Sequence, residues 1–474
     1  MAARKRKQLP RNLPVLIETL GDSGMGCLSI QMEHAQQTRL INVKGALPGE
    51  HLTINVMSKK RRQWYALPHE FKTRSEERVP APCVFFLNCG GCTMQHIKQK
   101  AQLEIKNESL LASLAENQVV ARHVLSSVTG PSYLYRRRAR LGVRYVAAKG
   151  RVLIGFREAF GGKIVDMSAC MVLAEPFGTS VSVAMLQQLI ASLTGYERIP
   201  QIELVVSDSE SAIIIRHLDP FCEEDLGKLK AFNKNTRVMV FGQAGSYESV
   251  KLLFGKSIYT DQRGSISRPQ LSYSLPDFGI TLFHDVADFV QVNQSINQIL
   301  VQAAVSGLNL DIHDRILELF CGIGNFSLPM ARKVKRVKGL EGDVQLVNRA
   351  NQNAKLNGLD QVAFFQQVDL YEKLDDQQVQ AICRGYNKVL VDPPRSGLGS
   401  ALQLFNNCHI ERLAYISCNP ETFASDAAYL LKIGFVLETV RVFDMFPQTS
   451  HVETLGIFSF QADNSSIFSG QCFA

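Results

Sequence analysis

The apolar residues in the last two fifths or so of the chain form short continuous runs, each followed by a polar or amphipathic stretch. Short runs that are apolar throughout predict strands buried on both faces, and the longer intervals predict crossover helices such as Val344–Leu356. The predicted strands are Ile316–Phe320, Val337–Glu341, Ala363–Val368, Lys388–Asp392, Leu413–Ser417, Phe435–Val442 and Thr454–Phe460. This alternation predicts a doubly wound, Rossmann-like α/β domain over residues 286–474.

The preceding part of the chain has two other patterns. Residues 11–68 alternate short apolar runs with glycine-bearing turns, which predicts a small β-barrel behind a basic tail at residues 1–10. Residues 69–285 begin as a turn-rich linker. They then mix the alternating pattern of strands with the helical spacing of apolar residues, which predicts a central α/β domain. In it we expect a helix over Leu103–Leu114 and two strand pairs. These pairs are Ala139–Val146 with Arg151–Phe156, and Gln201–Val206 with Ala212–His217.

Positive charge is concentrated at the N-terminal end. The whole chain of 474 residues carries +8, and residues 1–80 alone hold 14 Lys or Arg against 7 Asp or Glu. Such asymmetry favours a polyanion as partner. Lys59–Arg62 stands beside Trp64 and Tyr65, which fits either a single-stranded nucleic acid surface or a charged strand beside core aromatics. Arg136–Arg140 fits either RNA backbone contact or a solvated strand edge.

Cysteine usage and hydropathy indicate a cytoplasmic protein. The 11 cysteines are an odd number scattered through a long chain, which favours reduced thiols over a disulfide framework. No apolar run reaches the roughly 18 residues of a membrane span, and no apolar core follows the basic start as it does in a secretory signal. We therefore expect neither a membrane nor an obligate protein partner.

A cofactor loop is indicated by Leu317–Ser327, a buried strand that runs into a Gly-x-Gly turn and a helix. Glycine permits close backbone approach to a ligand, and Glu341 ends the next strand, where an acid typically accepts hydrogen bonds from ribose hydroxyls. The longer GxGxxG fingerprint of dinucleotide sites is missing here. Together with Asp392–Arg395, the loop favours S-adenosylmethionine over NAD.

Cys418 and Glu453 form a candidate catalytic pair. Cys418 follows a buried strand, at the edge where open α/β sheets bind ligands, and Glu453 precedes the last strand. Methylation of uracil at C5 needs a thiolate to attack C6 and a carboxylate to remove the C5 proton afterwards. Alone, the cysteine fits an inert core residue and the glutamate a solvated loop acid. Behind a cofactor loop, the two together favour this chemistry.

Five motifs in this order resemble those of the RNA (uracil-5-)-methyltransferase family. They are Phe289–Asn293, Leu319–Phe326, Asp392–Arg395, Ser417–Pro420 and His451–Glu453. The resemblance covers essentially the whole chain and implies that Cys418 is the nucleophile and Glu453 the base. It further implies cofactor contacts from Gln291, Phe320, Asn325, Glu341, Asp369 and Asp392.

Four more cysteines suggest a metal centre. Cys83, Cys89, Cys92 and Cys170 supply four thiols, which fit zinc, an iron–sulfur cluster or unrelated reduced cysteines, and spacing does not decide between them. The Cys-Gly-Gly-Cys element and Asp166-x3-Cys170 resemble the cluster-bearing ribosomal branch of the family, which implies a 4Fe–4S cluster with zinc as the alternative. Since the chemistry needs no redox step, we expect the cluster to brace the central domain and help to position RNA.

The domain content of the chain bears on its substrate. A TRAM-type barrel combined with the cysteine set resembles the branch that methylates 23S ribosomal RNA, so the implied partner is 23S rRNA. Methylation of another rRNA or tRNA uracil is the alternative within the family. Outside it stand a non-catalytic ribosome-assembly factor and an iron–sulfur redox enzyme. DNA cytosine methylation fits less well, because Asp392–Arg395 has no cysteine where those enzymes carry a Pro-Cys nucleophile.

Overall fold

The computed structural model describes residues 9–32, 35–60, 63–255, 271–406 and 410–461. Most of the predicted basic tail, and Arg61 and Arg62 of the predicted basic strand, lie outside these ranges.

The first six strands form a sheet that closes on itself, so the predicted small barrel is confirmed. They are β1 (Leu13–Leu16), β2 (Thr19–Leu20), β3 (Gly26–Met32), β4 (Ala35–Val43), β5 (His51–Lys60) and β6 (Gln63–Phe71), in the order β1-β5-β6-β4-β3-β2. The sheet closes because β1, which pairs with β5, continues directly into β2, which pairs with β3. Between them the Ile17 N–H donates to the Glu50 carbonyl, next to β5, and the Glu18 N–H donates to the Cys27 carbonyl of β3, each at 3.0 Å.

Trp64 bears on the two interpretations of the basic strand, whereas Tyr65 is half-buried. Burial alternates along the start of β6, and Trp64 is only 4% exposed, inside the barrel core. Its ring therefore offers no stacking surface for a base. The Lys59 ammonium lies 3.9 Å from the ring centre, so this lysine covers the core aromatic.

The central sheet has six strands and two helices. Before these strands the chain forms α1 (Gln99–Glu116) and β7 (His123–Val124). Helix α1 packs on the C-terminal sheet described below, and β7 is an edge strand of that sheet. The central strands are β8 (Arg138–Val146), β9 (Arg151–Gly155), β10 (Gln201–Val206), β11 (Ser211–Arg216), β12 (Met239–Gln243) and β13 (Val250–Phe254), in the order β13-β12-β11-β10-β8-β9. Helices α2 (Val183–Ser192) and α3 (Glu223–Thr236) pack on them. Both predicted antiparallel pairs, β8–β9 and β10–β11, are present.

The C-terminal part is a doubly wound sheet, as predicted. Its elements are the hairpin β14 (Leu271–Leu275) and β15 (Ile280–His284), α4 (Gln294–Gly307), β16 (Arg315–Leu319), α5 (Ser327–Ala331), β17 (Arg336–Glu341), α6 (Val344–Leu356), β18 (Ala363–Gln367), α7 (Asp376–Cys383), β19 (Lys388–Val391), β20 (Arg412–Ser417), α8 (Pro420–Lys432), β21 (Phe435–Phe443) and β22 (Glu453–Phe460). The strand order is β18-β17-β16-β19-β20-β22-β21-β7. Strands β16 to β20 are parallel and β22 is antiparallel to both of its neighbours. The order reverses between β16 and β19, which opens a crevice at their carboxyl ends.

Helix α1 packs on this C-terminal sheet although it precedes the central sheet in sequence. Leu110 and Leu114 join the apolar core that α8 and β21 share. The Lys106 ammonium forms a buried ion pair with Asp444 at 2.6 Å. The four-part division of the chain stays a prediction, and these contacts show that residues 99–124 associate with the catalytic sheet. None of the helices in the described ranges is both long and apolar enough to cross a bilayer.

Candidate active site

A cavity of about 560 Å³ opens at the carboxyl ends of β16, β19 and β20. It brings together both predicted catalytic residues and five of the six predicted cofactor residues. The lining includes Gln291, Phe320, Asn325, Glu341, Asp392, Cys418 and Glu453. Side chains from sequence positions more than 160 residues apart thus meet at one sheet edge.

The cofactor loop turns sharply after β16. Phe320, Gly322 and Gly324 have φ values of 62°, 54° and 97°, in the left-handed region that glycine adopts at least cost. The Glu341 carboxylate, at the end of β17, accepts the Gly322 N–H and the Asp343 N–H, both at 3.1 Å. Its position beside the loop is therefore fixed before any ligand binds.

Asn325 anchors the loop to the rest of the domain. Its amide exchanges two hydrogen bonds with the amide of Asn297, at 2.9 and 3.0 Å, and accepts a third from the Tyr273 hydroxyl at 3.0 Å. Asn293, the last residue of the motif that contains Gln291, caps α4 through the Ile296 N–H. The Asn325 side chain thus holds the loop against α4 and β14.

The cavity contains an excess of buried acid. Burial raises the pKa of Asp392 to about 7, and burial raises the pKa of Glu318 and of Glu453 well above the usual carboxyl range. Among the described residues that line the cavity, the cationic side chains are Arg136 and Arg395. A cationic ligand would stabilise the ionised form of these acids, so the site favours positive charge in its occupant.

Arg395 connects the loop that carries Cys418 to the loop that leads to Glu453. Asn419 caps α8, and both its amide N–H and the Thr422 hydroxyl donate to the Arg395 carbonyl, at 3.0 and 3.3 Å. The Arg395 guanidinium lies 3.1 Å from Nδ1 of His451. Cys418 directly precedes the cap of α8, so the helix N-terminus favours its thiolate.

The strand register brings Cys418 and Glu453 together. In the antiparallel pair of β20 and β22, Ser417 lies opposite Thr454. Cys418 directly follows Ser417 and Glu453 directly precedes Thr454, and both line the cavity. Glu453 is 3% exposed, so it is shielded from bulk water.

The charge state of the pair depends on what occupies the cavity. Burial, and next the negative charge of Glu453, raise the pKa of Cys418 to about 11, while Arg395 lowers it. In the ligand-free protein at neutral pH the thiol is therefore protonated. Positive charge in the cavity would favour the ionised form of both groups.

One predicted cofactor residue lies outside the cavity. Asp369 does not line the cavity; it is exposed, and it accepts the Tyr371 N–H at 2.9 Å. Tyr371 in turn packs on Phe320, with ring centres 5.6 Å apart. A direct contact between Asp369 and the cofactor stays a prediction.

Glu318 is a lining residue that the sequence reasoning missed. It is fully buried in β16, accepts a hydrogen bond from the Ser327 hydroxyl, and has no hydrogen-bond partner for Oε1 among the described residues. The signal was available, because an acid inside an otherwise apolar strand needs a reason to be there. Arg395 and His451 belong to two of the family motifs but had no predicted role, and they also line the cavity, as does Arg136 of the predicted RNA-contacting stretch.

The basic stretch Arg136–Arg140 is largely neutralised. Arg138 and Arg140 form ion pairs with the buried Glu203 at 3.1 and 2.8 Å. Arg136, by contrast, lines the catalytic cavity and has no carboxylate at ion-pair distance in the described part of the chain. Its charge is the one that this stretch offers to a bound nucleotide.

The four cluster cysteines surround one small cavity, of about 20 Å³. Cys83, Cys89, Cys92 and Cys170 all line it. Within the described ranges, no group of three or more His, Cys, Asp or Glu side chains has metal-binding geometry. The donor set itself fits a metal centre: burial raises the pKa of Cys92 to about 11 and that of Cys170 to about 12, so four thiolates here would need a positively charged partner.

Known proteins similar to this chain agree with the geometry. The family model of tRNA (uracil-5-)-methyltransferase matches residues 98–461. The 23S rRNA (uracil(1939)-C(5))-methyltransferase RlmD of Hahella chejuensis is 38% identical over 460 residues, covering 96% of this chain and 99% of the relative. The protein of the same name from Methylococcus capsulatus is 37% identical over 462 residues, covering 96% and 98%.

A solved structure shares the fold. The tRNA (uracil-54, C5)-methyltransferase of Pyrococcus abyssi, in complex with S-adenosyl-L-homocysteine, has a TM-score of 0.68 at 22% identity, over 94% of this chain and 100% of that one. The chain therefore belongs to the tRNA (uracil-5-)-methyltransferase family, whose members transfer a methyl group from S-adenosylmethionine to C5 of uracil in RNA.

Proposed function

We propose that this protein methylates C5 of a uracil in 23S ribosomal RNA, with Cys418 as nucleophile and Glu453 as base. The observation that carries the proposal is the strand register that ends with Ser417 opposite Thr454, because it leaves the adjacent residues Cys418 and Glu453 lining the same cavity as the cofactor loop. The 23S substrate is supported by relatives named for uracil 1939 that match along nearly their whole length. A ribosomal RNA substrate supports a cytoplasmic location as part of this proposal.

The catalytic pair divides the chemistry into addition and elimination. The Cys418 thiolate adds to C6 of the uracil, which turns C5 into an enolate-like nucleophile. S-adenosylmethionine, when bound, supplies the methyl group as an electrophile. C5 then carries both the methyl group and a proton. Glu453 removes this proton, and the electron pair that is left expels the Cys418 thiolate from C6.

The side chains around this pair prepare it for the reaction. Arg395 lowers the pKa of Cys418. Its carbonyl accepts a hydrogen bond from the Asn419 side chain, which fixes the loop that carries Cys418. The buried acids favour a cation, which distinguishes a sulfonium donor from a neutral nucleotide. Arg136, on the cavity wall, is placed to bind the backbone of the target nucleotide.

Glu341→Gln is expected to weaken binding of S-adenosylhomocysteine roughly 10- to 100-fold, because it replaces a charged acceptor of the ribose hydroxyls by a neutral amide. Isothermal titration calorimetry on the purified protein measures the Kd. Glu372→Gln, an exposed glutamate beyond β18, serves as control and should leave the Kd within about twofold. An equally small change for Glu341→Gln would show that the carboxylate does not contact the ligand.

We further propose that the four cysteines hold a 4Fe–4S cluster. As thiolates, Cys83, Cys89, Cys92 and Cys170 would be its ligands, and the cluster would supply a rigid cross-link between residues 83–92 and residue 170. The Gly91 N–H already donates to the Cys89 sulfur at 3.3 Å, as protein N–H groups do towards electron-rich thiolates. Arg136 lines both this small cavity and the catalytic one, so a rigid centre here would help to position a catalytic-site cation.

Protein purified without oxygen is expected to contain about four iron and four sulfide per chain, and Cys92→Ser is expected to lose most of the iron. Metal and sulfide analysis, with visible absorption, measures both. Cys27→Ser removes a buried barrel cysteine that does not line the cavity of the four cysteines and should retain the iron. About one zinc per chain would favour the alternative metal, and no bound metal would contradict both.

Mapping the methylated nucleotide tests the proposed substrate. The protein is incubated with S-adenosylmethionine carrying a labelled methyl group and with 23S rRNA fragments, and the labelled base is located by mass spectrometry. We expect 5-methyluridine at one position of 23S rRNA and none in tRNA. Label in tRNA alone would contradict 23S rRNA as the substrate but agree with methylation of uracil at C5. No label in any RNA would contradict the enzymatic function.

A further inference from the structure

A second cavity, of about 350 Å³, lies where the barrel meets the segment that carries three of the cluster cysteines. We call it the junction cavity. The lining residues used below are Phe71, Arg74, Arg78, Phe86 and His96. Its volume is of the order that one nucleotide requires, and the mechanism above does not use it.

Cations and an aromatic ring form one side of the junction cavity. The guanidinium groups of Arg78 and Arg74 lie 4.5 and 5.3 Å from the ring centre of Phe71. Arg78 is neutralised by the buried Glu50, at 2.5 Å. Arg74 is exposed, and no carboxylate lies at ion-pair distance from it among the described residues. A planar surface beside an uncompensated cation suits an aromatic ring that carries an anionic group.

A buried histidine without a hydrogen-bond partner forms another side. His96 is 2% exposed, and neither of its ring nitrogens meets hydrogen-bond criteria in the described part of the chain. The Ala46 carbonyl lies near the ring without reaching that geometry. Burial lowers the pKa of His96 to about 4, so the neutral ring has one donor and one acceptor. The edge of a nucleobase presents the matching pair of groups.

The junction cavity is connected to the catalytic cavity through shared walls. Phe86 lines both the junction cavity and the small cavity of the four cysteines. Arg136 lines both that small cavity and the catalytic one. In addition, the N–H groups of Thr93 and Met94 donate to the carbonyl of Gln448, at 2.9 and 3.1 Å. The segment that carries His96 is thus bonded to the loop that leads to Glu453.

We propose that the junction cavity binds one unstacked nucleotide of the RNA substrate, at a fixed distance along the strand from the target uracil. Its base lies beside Phe71 and offers its edge to His96, and Arg74 binds its phosphate. This inference rests on the proposed function, since it takes the RNA to be the substrate of the catalytic cavity. The site would select substrate by the base at a second position of the strand.

Arg74→Ala tests the affinity, with Lys72→Ala as matched control. Lys72 is equally exposed, is two residues away and does not line the cavity. For a 23S rRNA fragment containing the target uracil, we expect Arg74→Ala to raise the Kd roughly 10- to 100-fold at fixed salt, the range of a hydrogen bond to a charged group. KM for the fragment should rise in parallel. Lys72→Ala should change either constant by about twofold or less. Equal effects of the two variants would overturn the proposal.

Photocrosslinking identifies the nucleotide and does not depend on turnover. Fragments with 5-iodouridine at single positions are irradiated with the full-length protein, and the attached peptide is identified by mass spectrometry. We expect one flanking position to react within residues 68–97, and this product to be lost in Arg74→Ala. No such product from any position would overturn the proposal, even if the wild-type protein methylates the fragment. Binding of free uridine monophosphate in the cavity without effect of Arg74→Ala on RNA affinity would also overturn it, in favour of a separate nucleotide site.

Discussion

Cys418→Ala is expected to lower the methylation rate by at least about 1000-fold, because the other described thiol that lines the cavity, Cys321, is buried. The stronger test uses RNA that contains 5-fluorouridine. Fluorine cannot leave C5 as a cation, so elimination fails after methyl transfer and the thiolate stays bonded to C6. The wild-type protein should form an adduct that survives denaturing electrophoresis, and Cys418→Ala should form none.

Two controls isolate the role of the nucleophile. Cys418→Ala should bind S-adenosylhomocysteine with a Kd close to that of wild type, which shows that the cavity is intact. Cys222→Ala removes an exposed free thiol outside the cavity and should form the adduct at the normal rate. An adduct with Cys418→Ala would assign the nucleophile to another residue.

Glu453→Gln is expected to lower turnover roughly 10²- to 10⁴-fold, the range of a lost general base. Because the base acts after the methyl group has reached C5, the variant should stop at the adduct and not before it. With ordinary RNA and labelled S-adenosylmethionine, it should accumulate labelled RNA bonded to protein, up to one equivalent. Denaturing electrophoresis and single-turnover kinetics measure this accumulation.

The step at which the reaction of Glu453→Gln stops distinguishes a catalytic base from a residue that only supports the structure. Glu438→Gln alters a glutamate on the neighbouring strand β21, outside the cavity, and should turn over within about twofold of wild type. If Glu453→Gln formed neither adduct nor product although it bound S-adenosylhomocysteine normally, the carboxylate would act before methyl transfer. Normal turnover of this variant would remove Glu453 from the mechanism.

Local sequence determined much of what could be predicted. Strands such as β19 are buried on both faces, so their apolar runs stand out, and helix α6 ends where its amphipathic period ends. The cofactor loop follows its strand directly in sequence, which makes the turn and its glycines recognisable. Glu453 differs, because its place in the cavity of Cys418 depends on the insertion of β22 between β20 and β21, which the order of the strands along the chain does not reveal.

Features that depend on distant residues could not be predicted in this way. Glu203 neutralises two arginines more than 60 positions earlier, so the charge of their stretch looked more available in sequence than it is. Trp64 lies inside the barrel because of the register of β6, which the density of neighbouring charges does not reveal. The four-cysteine cavity assembles residues 83–92 with residue 170, a pairing that spacing alone left open.

Helix α1 has a consequence for how this protein can be divided. It covers apolar surface of α8 and β21, and its Lys106 neutralises Asp444 in the interior. A fragment starting at residue 286 would expose this surface to water and leave an aspartate buried without its counter-charge, which commonly costs several kcal/mol. The catalytic segment is therefore not an autonomous folding unit, and a shortened enzyme must retain residues 99–124 to remain soluble and folded.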